Sequence, residues 1–150
     1  MAEAAKGLEL MVKHSLMGMG LLSAAFYKKY GKEALPIITE VMSKGGEEIG
    51  KIMKQMMPVK GMKDFSEAFQ MMGSMMGAKF ETIELSDDKF HFKGSHCPLC
   101  LEGTSRDLCE ATMTHDAKMA SVLLGKQVKI KILKSVAVGD KECEVIFSTK

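Results

Sequence analysis

The sequence predicts an α+β domain: about three N-terminal helices, then two β-hairpins that flank a fourth helix and form an antiparallel sheet. Three observations carry that prediction. Apolar residues recur every three or four positions as far as residue 77, and every second position from residue 79. Each of two alternating pairs is divided by a short turn of polar residues or glycine. Between the pairs lies one more helical stretch, closed by Gly125. With 150 residues, 46% hydrophobic and 27% charged, the chain has the size and make-up of one globular domain. Residues 1–150 are therefore read as a single unit with a Met-rich helical part, 1–77, and a hairpin–helix–hairpin part, 78–150.

The elements follow in order. Leu8, Met11, Val12, Met19, Leu22 and Phe26 make one side of a first helix, which Tyr30-Gly31 stops. A second helix begins close to Pro36, where a missing N–H costs nothing. Its Ile38, Met42, Gly45, Ile49, Ile52 and Met56 form a heptad-like stripe, with Gly45 allowing a backbone to come close. Pro58 and Gly61 end it, and Asp64 with Glu67 reads as a capping box opening a third helix. Phe65, Ala68, Phe69, Met72 and Met76 line that helix. Lys79–Leu85 and Lys89–Lys93 then flank Ser86-Asp87-Asp88, a hairpin with Phe90 and Phe92 on one face and His91 and Lys93 on the other. Thr104 or Ser105 caps the fourth helix, which runs to about Leu124 with Leu108, Thr112, Met119 and Val122 inward. Val128, Ile130 and Ile132 pair with Cys143, Val145 and Phe147 in the second hairpin, around Val138-Gly139-Asp140.

Composition excludes several classes. A net charge of +2 gives no reason to expect a nucleic acid partner. The best apolar stretch, Leu16 to Phe26, is interrupted by Gly18, Gly20 and Ser23 and is far short of the ~20 residues a membrane span needs. Glu3 and Glu9 spoil the basic region of a signal peptide, so a cytoplasmic protein is expected. The 15 methionines, mostly before residue 78, suit either a helical core or a deformable pocket or dimer face. The stripe from Ile38 to Met56 is long enough to cover a sheet on one side and meet a second copy on the other, so a homodimer is expected.

The chemical signal is in Cys97-Pro98-Leu99-Cys100, Cys109 and Cys143. In a reducing compartment such thiols hold metal or do redox chemistry more readily than they form disulfides. The short turn of a C-x-x-C pair aims both sulfurs at one ion, and zinc takes four such ligands. Cys97, Cys100, Cys109 and Cys143 are thus candidate metal ligands, with His96 the best of the histidines and His91 and His115 in reserve. A redox dithiol is disfavoured because Leu101 to Thr104 separates the pair from the helix that would lower its pKa. An iron–sulfur cluster has four thiols available, but at neither common ferredoxin spacing. Buried, inert cysteine is the bland alternative. If the second turn centres on Gly139, Ser135 lies directly opposite Cys143, with Cβ atoms about 5 Å apart.

Asp88 to Phe147 resembles the vinyl-4-reductase-type domain, a family of small-molecule-binding modules. Its signature is two cysteines eight apart around a Gly-Asp turn, with another cysteine about 26 residues upstream on a helix. Gly139-Asp140, Cys143 and Cys109 match, and Ser135 stands at the middle cysteine. In that family the three thiols help hold a structural zinc beside an apolar cavity. The resemblance implies Cys109 and Cys143 as ligands, with Cys97, Cys100 or a histidine replacing the lost thiol. Tyr30-Gly31-Lys32-Glu33-Ala34, Asp87-Asp88-Lys89-Phe90, Cys97-Pro98, Leu108-Cys109 and Gly139-Asp140 also resemble the family named for L-2-amino-thiazoline-4-carboxylate hydrolase. That resemblance implies hydrolysis of a small sulfur heterocycle.

Two functions therefore compete. One is a zinc-holding module for a small apolar or weakly polar ligand. The other is a small hydrolase using a cysteine or a metal-bound water, with His96 or His115 as base and Asp107, Glu110 or Asp116 as a carboxylate. No nucleophile elbow, zinc-protease motif or phosphate loop is present.

Overall fold

The computed structural model describes residues 1–150. Four helices and four strands follow in the expected order: α1 (Ala2–Tyr30), α2 (Ala34–Met56), α3 (Met62–Met75), β1 (Phe80–Leu85), β2 (Lys89–Gly94), α4 (Arg106–Leu124), β3 (Lys129–Lys134) and β4 (Cys143–Ser148). The strands make one antiparallel sheet in the order β1-β2-β4-β3, so the two hairpins join through β2 and β4. Ser105 caps α4 by accepting the Leu108 N–H at 3.1 Å, and Gly125 closes it in the left-handed conformation.

Register decides the core. Phe90 lies opposite Phe147 and Phe92 opposite Val145, while Ile130 and Ile132 sit beyond them on β3. All of these therefore share the inner face. The α3 residues Phe65 and Phe69 pack onto that face, with the Phe69 ring 5.2 Å from both Phe92 and Phe147. Burying a phenylalanine is worth about 1.5–3 kcal/mol, and the edge contacts add to it. Met53, Met62 and Met119 are buried in this cluster, with Met57, Met72 and Met113 packed around it. A second core joins Ala34, Ile38 and Met42 of α2 to Leu101, Leu108, Cys109, Ala111 and Ala137.

Three local expectations are corrected. The buried side of α2 is Ala34, Ile38, Met42, Gly46, Gly50 and Met53, whereas Ile49, Ile52 and Met56 of the heptad-like stripe are exposed. The cause is α4, which lies against α2 too closely for side chains. A Cβ on Gly46 would stand 2.0 Å from the His115 carbonyl oxygen, and one on Gly50 2.8 Å from the Val122 Cβ. On α1, Leu8, Met11 and Leu22 point to solvent and the buried residues are Gly20 and Ser23. Finally, α3 starts at Met62 without a side-chain cap, and Asp64 instead accepts the Lys60 N–H at 2.8 Å.

The outer face of the sheet is ionic. His91 Nε2 lies 2.9 Å from Glu144 Oε1, and Lys134 Nζ lies 2.8 Å from Glu144 Oε2. Lys134, then His91, hold the Glu144 carboxyl below its usual range. No helix is long and apolar enough to cross a membrane.

Candidate functional site

The second hairpin and the start of α4 meet at Ser135, and the loop after β2 reaches the same hairpin beside Cys143. Ser135 follows β3 and is fully buried. Lys134 pairs with Glu144 across the hairpin, which carries Ser135 alongside Cys143 as the turn arithmetic predicts. Its N–H donates to Asp140 Oδ2 at 2.8 Å, and its Oγ accepts the Ala137 N–H at 3.2 Å. Gly139, at φ 93°, lets the chain return so that the Asp140 N–H reaches the Ser135 carbonyl. The Gly-Asp pair is thus the clasp of the turn. With its position fixed, the Ser135 hydroxyl donates to Cys109 Sγ at 3.3 Å. It also lies close enough to Cys143 to favour that thiolate.

Cys97 completes a group of three. Its sulfur feels Cys143, as Cys109 does, so a charge on Cys143 raises both. Burial is the larger effect: it pushes the Cys97 thiol up to about 11 and raises Cys109 and Cys143 as well. The backbone of Leu101 and Leu99 at Cys97, and of Val136 at Cys143, pulls the other way. Glu102 adds a carboxylate near Cys97 and Cys143 and accepts the Cys97 N–H at 3.4 Å. The thiols are neutral here at pH 7: burial and the Glu102 carboxylate disfavour the thiolate, and the Ser135 hydroxyl and the backbone only partly offset them.

The other candidates lie apart. Cys100 is exposed and left-handed at φ 55°, its N–H donating to the Cys97 carbonyl at 3.0 Å. His96 is exposed, and its ring hydrogen-bonds the neighbouring Ser95 hydroxyl at 3.4 Å. His115 Nδ1 lies 3.2 Å from Asp116 Oδ1, with its ring against Gly45 on α2. His91 is engaged by Glu144 on the outer face. All four cysteines are free, and as placed no three His, Cys, Asp or Glu side chains stand where one metal ion would need them. Asp107 and Glu110 border a solvent-open groove of about 330 Å³ with Leu35, Thr39, Ala111 and Thr114.

Glu102 was not anticipated, because a single acid in a loop carries no signal in a sequence. Gly20 was also missed. It packs against the Leu99 backbone, and a helical glycine reads only as a weakness until its neighbour is known.

No family model matches the chain, and no curated protein matches it. Solved structures do. The phenol-responsive sensory domain of the transcription activator PoxR, solved with phenol, superposes with a TM-score of 0.66 at 15% identity, covering 89% of this chain and 74% of that one. A trafficking protein particle complex subunit 3 from Naegleria fowleri, solved covalently bound to palmitic acid, superposes with a TM-score of 0.65 at 15% identity, covering 94% and 96%. The chain therefore has the same small α+β fold as these two proteins, one described with phenol and the other with a fatty acid.

Proposed function

We propose that this protein is a small-molecule-binding module of the vinyl-4-reductase type, taking an apolar or weakly polar ligand into the core between α3 and the sheet. The observation that carries the reading is the ring of methionines, Met53, Met57, Met62, Met72, Met113 and Met119, around the phenylalanine cluster. Thioether side chains change rotamer cheaply and pack well on aromatic rings, so this core can open around a guest that a Leu/Val core would exclude. The ligands described for the two structural neighbours, phenol and palmitic acid, are of that apolar or weakly polar class.

Zinc at the thiol group is the second part of the proposal. Cys109 and Cys143 beside Ser135, with Cys97 near Cys143, are the soft donors zinc prefers. The side chains must draw together to hold it, with Glu102, Cys100 or His96 as the fourth ligand. Bound there, zinc would tie the loop, α4 and the hairpin into one unit. Four free thiols suit the cytoplasm. The hydrolase reading has less support, since burial keeps Cys97 protonated and His96 and His115 contact Ser95 and Asp116 instead of a thiol.

Thermal melting with phenol, p-cresol, a C8 and a C16 fatty acid tests the binding reading. A saturable rise of several degrees for one class is expected, because a ligand at a hundred times its Kd adds about 2.7 kcal/mol. No rise with any of the four would contradict it.

A further inference from the structure

Cys97-Pro98-Leu99-Cys100 closes a single turn, in which the Cys100 N–H donates to the Cys97 carbonyl at 3.0 Å. A turn closed by that bond holds its end Cα atoms within about 7 Å, the span a disulfide needs. The two thiols differ in access. Cys100 is exposed, whereas Cys97 is half-buried with the backbone of Leu99 and Leu101 against its sulfur. An outer thiol that meets an oxidant, beside an inner thiol that resolves it, is the arrangement of a reversible thiol pair.

Backbone conformation is a separate observation. Cys100 is the one non-glycine residue of the chain with positive φ, at 55°, and the five other residues of that kind are all glycine. A side chain strains the backbone there, and glycine would relieve it. Packing does not account for the cysteine, because Cys100 belongs to neither core. Strain held at an exposed thiol, with a second thiol at the other end of the turn, marks a working position.

The loop is placed to pass a change on. Leu99, between the two cysteines, lies backbone to backbone against Gly20 of α1. Leu101, the residue after the pair, is fully buried in the second core. Leu101 is thus the anchor, and Leu99 is the part that moves. The receiving helix has little other support towards its start, where Ala2 to Ser15 contain only one half-buried residue, Val12.

We propose that Cys97 and Cys100 form a peroxide-responsive disulfide whose closure loosens α1 through Leu99 and Gly20. The Cys100 sulfur attacks hydrogen peroxide, giving a sulfenic acid and one water. The Cys97 sulfur then attacks the sulfenic sulfur, and its proton leaves with the hydroxyl as a second water. Two thiols are oxidised to one disulfide while one peroxide is reduced to two waters, and a dithiol reverses the step. Drawn towards Cys100, the Cys97 sulfur leaves the Leu101 backbone and Cys143, and Leu99 shifts against α1. The switch is independent of what the core between α3 and the sheet binds.

Oxidation of the full chain with one equivalent of hydrogen peroxide, in EDTA so that no metal shields the thiols, tests it after alkylation and tryptic digestion. Cys97 and Cys100 share the peptide Gly94–Arg106, whereas Cys109 lies in Asp107–Lys118 and Cys143 in Glu142–Lys150. A disulfide internal to Gly94–Arg106, two hydrogens lighter and reopened by dithiothreitol, is expected. Hydrogen exchange of the α1 amides around Gly20 should rise about tenfold on oxidation, and stay unchanged in Cys100→Ser treated alike. Cys97→Ser should stop at a Cys100 sulfenic acid that dimedone traps. A bond from Cys97 to Glu142–Lys150 would overturn the proposal, as would over-oxidation of Cys100 with Cys97 still free. So would a disulfide that leaves α1 exchange unchanged.

Discussion

A Cβ on Gly20 would lie 1.9 Å from the Leu99 carbonyl oxygen, so α1 and the Cys97–Cys100 loop meet backbone to backbone. The contact fixes where the loop holds Cys97, and the same loop fixes the inner face of α1. Structural order in the thiol group and in the first helix is therefore shared.

Gly20→Ala tests that sharing. The methyl has no room, and its neighbour is the Leu99 backbone, so helix and loop must separate. A loss of about 1–3 kcal/mol is expected, or several degrees in melting temperature. Alkylation of Cys97 should accelerate in the same variant. Unchanged Cys97 reactivity with a lowered midpoint would show that the loop holds its shape without α1.

Ser135 gives a pair of opposite outcomes. Ser135→Ala leaves the Ala137 N–H unsatisfied in a buried turn and should cost about 1–3 kcal/mol. Ser135→Cys keeps the volume nearly unchanged and supplies a fourth neighbouring thiol. Its zinc affinity, measured by competition with a chromophoric chelator, should exceed that of wild type. Equal affinities would place the metal elsewhere or nowhere.

The α2–α4 contact sets a separate test. Gly46→Ala inserts a methyl against the His115 carbonyl and should destabilise by at least about 2 kcal/mol in urea. Gly45→Ala meets only the edge of the His115 ring, at 3.4 Å, and should cost far less. Similar losses at both positions would mean that the helices separate freely.

His115 makes stability depend on pH. Its hydrogen bond to Asp116 raises its pKa in the folded state, so the folded protein holds the proton more tightly than the unfolded chain. That contribution is complete below the unfolded value of about 6.5 and is lost as pH rises through the folded one. The urea midpoint should therefore fall from pH 6 to pH 8, and this part of the fall should vanish in Asp116→Asn. A slope identical in the variant would remove His115 as its source.

How much of this was legible in the sequence follows from what each pattern encodes. The β-half was read almost residue by residue, because alternation fixes faces and the Gly139-Asp140 turn fixes register; Phe90, Phe92, Val145 and Phe147 are inward as expected. The place of Ser135 beside Cys143 came from the same arithmetic. The helical half was legible in extent, and on α3 in rotation too, since Phe65, Ala68 and Phe69 are buried as expected; on α1 and the later turns of α2 the rotation was not. On α2 Ile38 and Met42 of the expected stripe are buried, but the rest of the contact uses Ala34, Gly46 and Gly50, where closeness matters more than hydrophobicity. On α1 the exposed Leu8, Met11 and Leu22 were misread as inward for the same reason. Which thiols converge was only half legible, since Cys97 and Cys100 are equivalent in sequence and the loop half-buries one and exposes the other.

The central claim is that the methionine-ringed core admits a small apolar guest. Methyl-labelled methionine observed by NMR tests it directly, with phenol and a C16 fatty acid titrated into the full chain. Saturable shifts concentrated at Met53, Met62 and Met119, with the exposed Met11 and Met56 unmoved, are the predicted result. Shifts confined to the exposed methionines, or none at millimolar ligand, would contradict it.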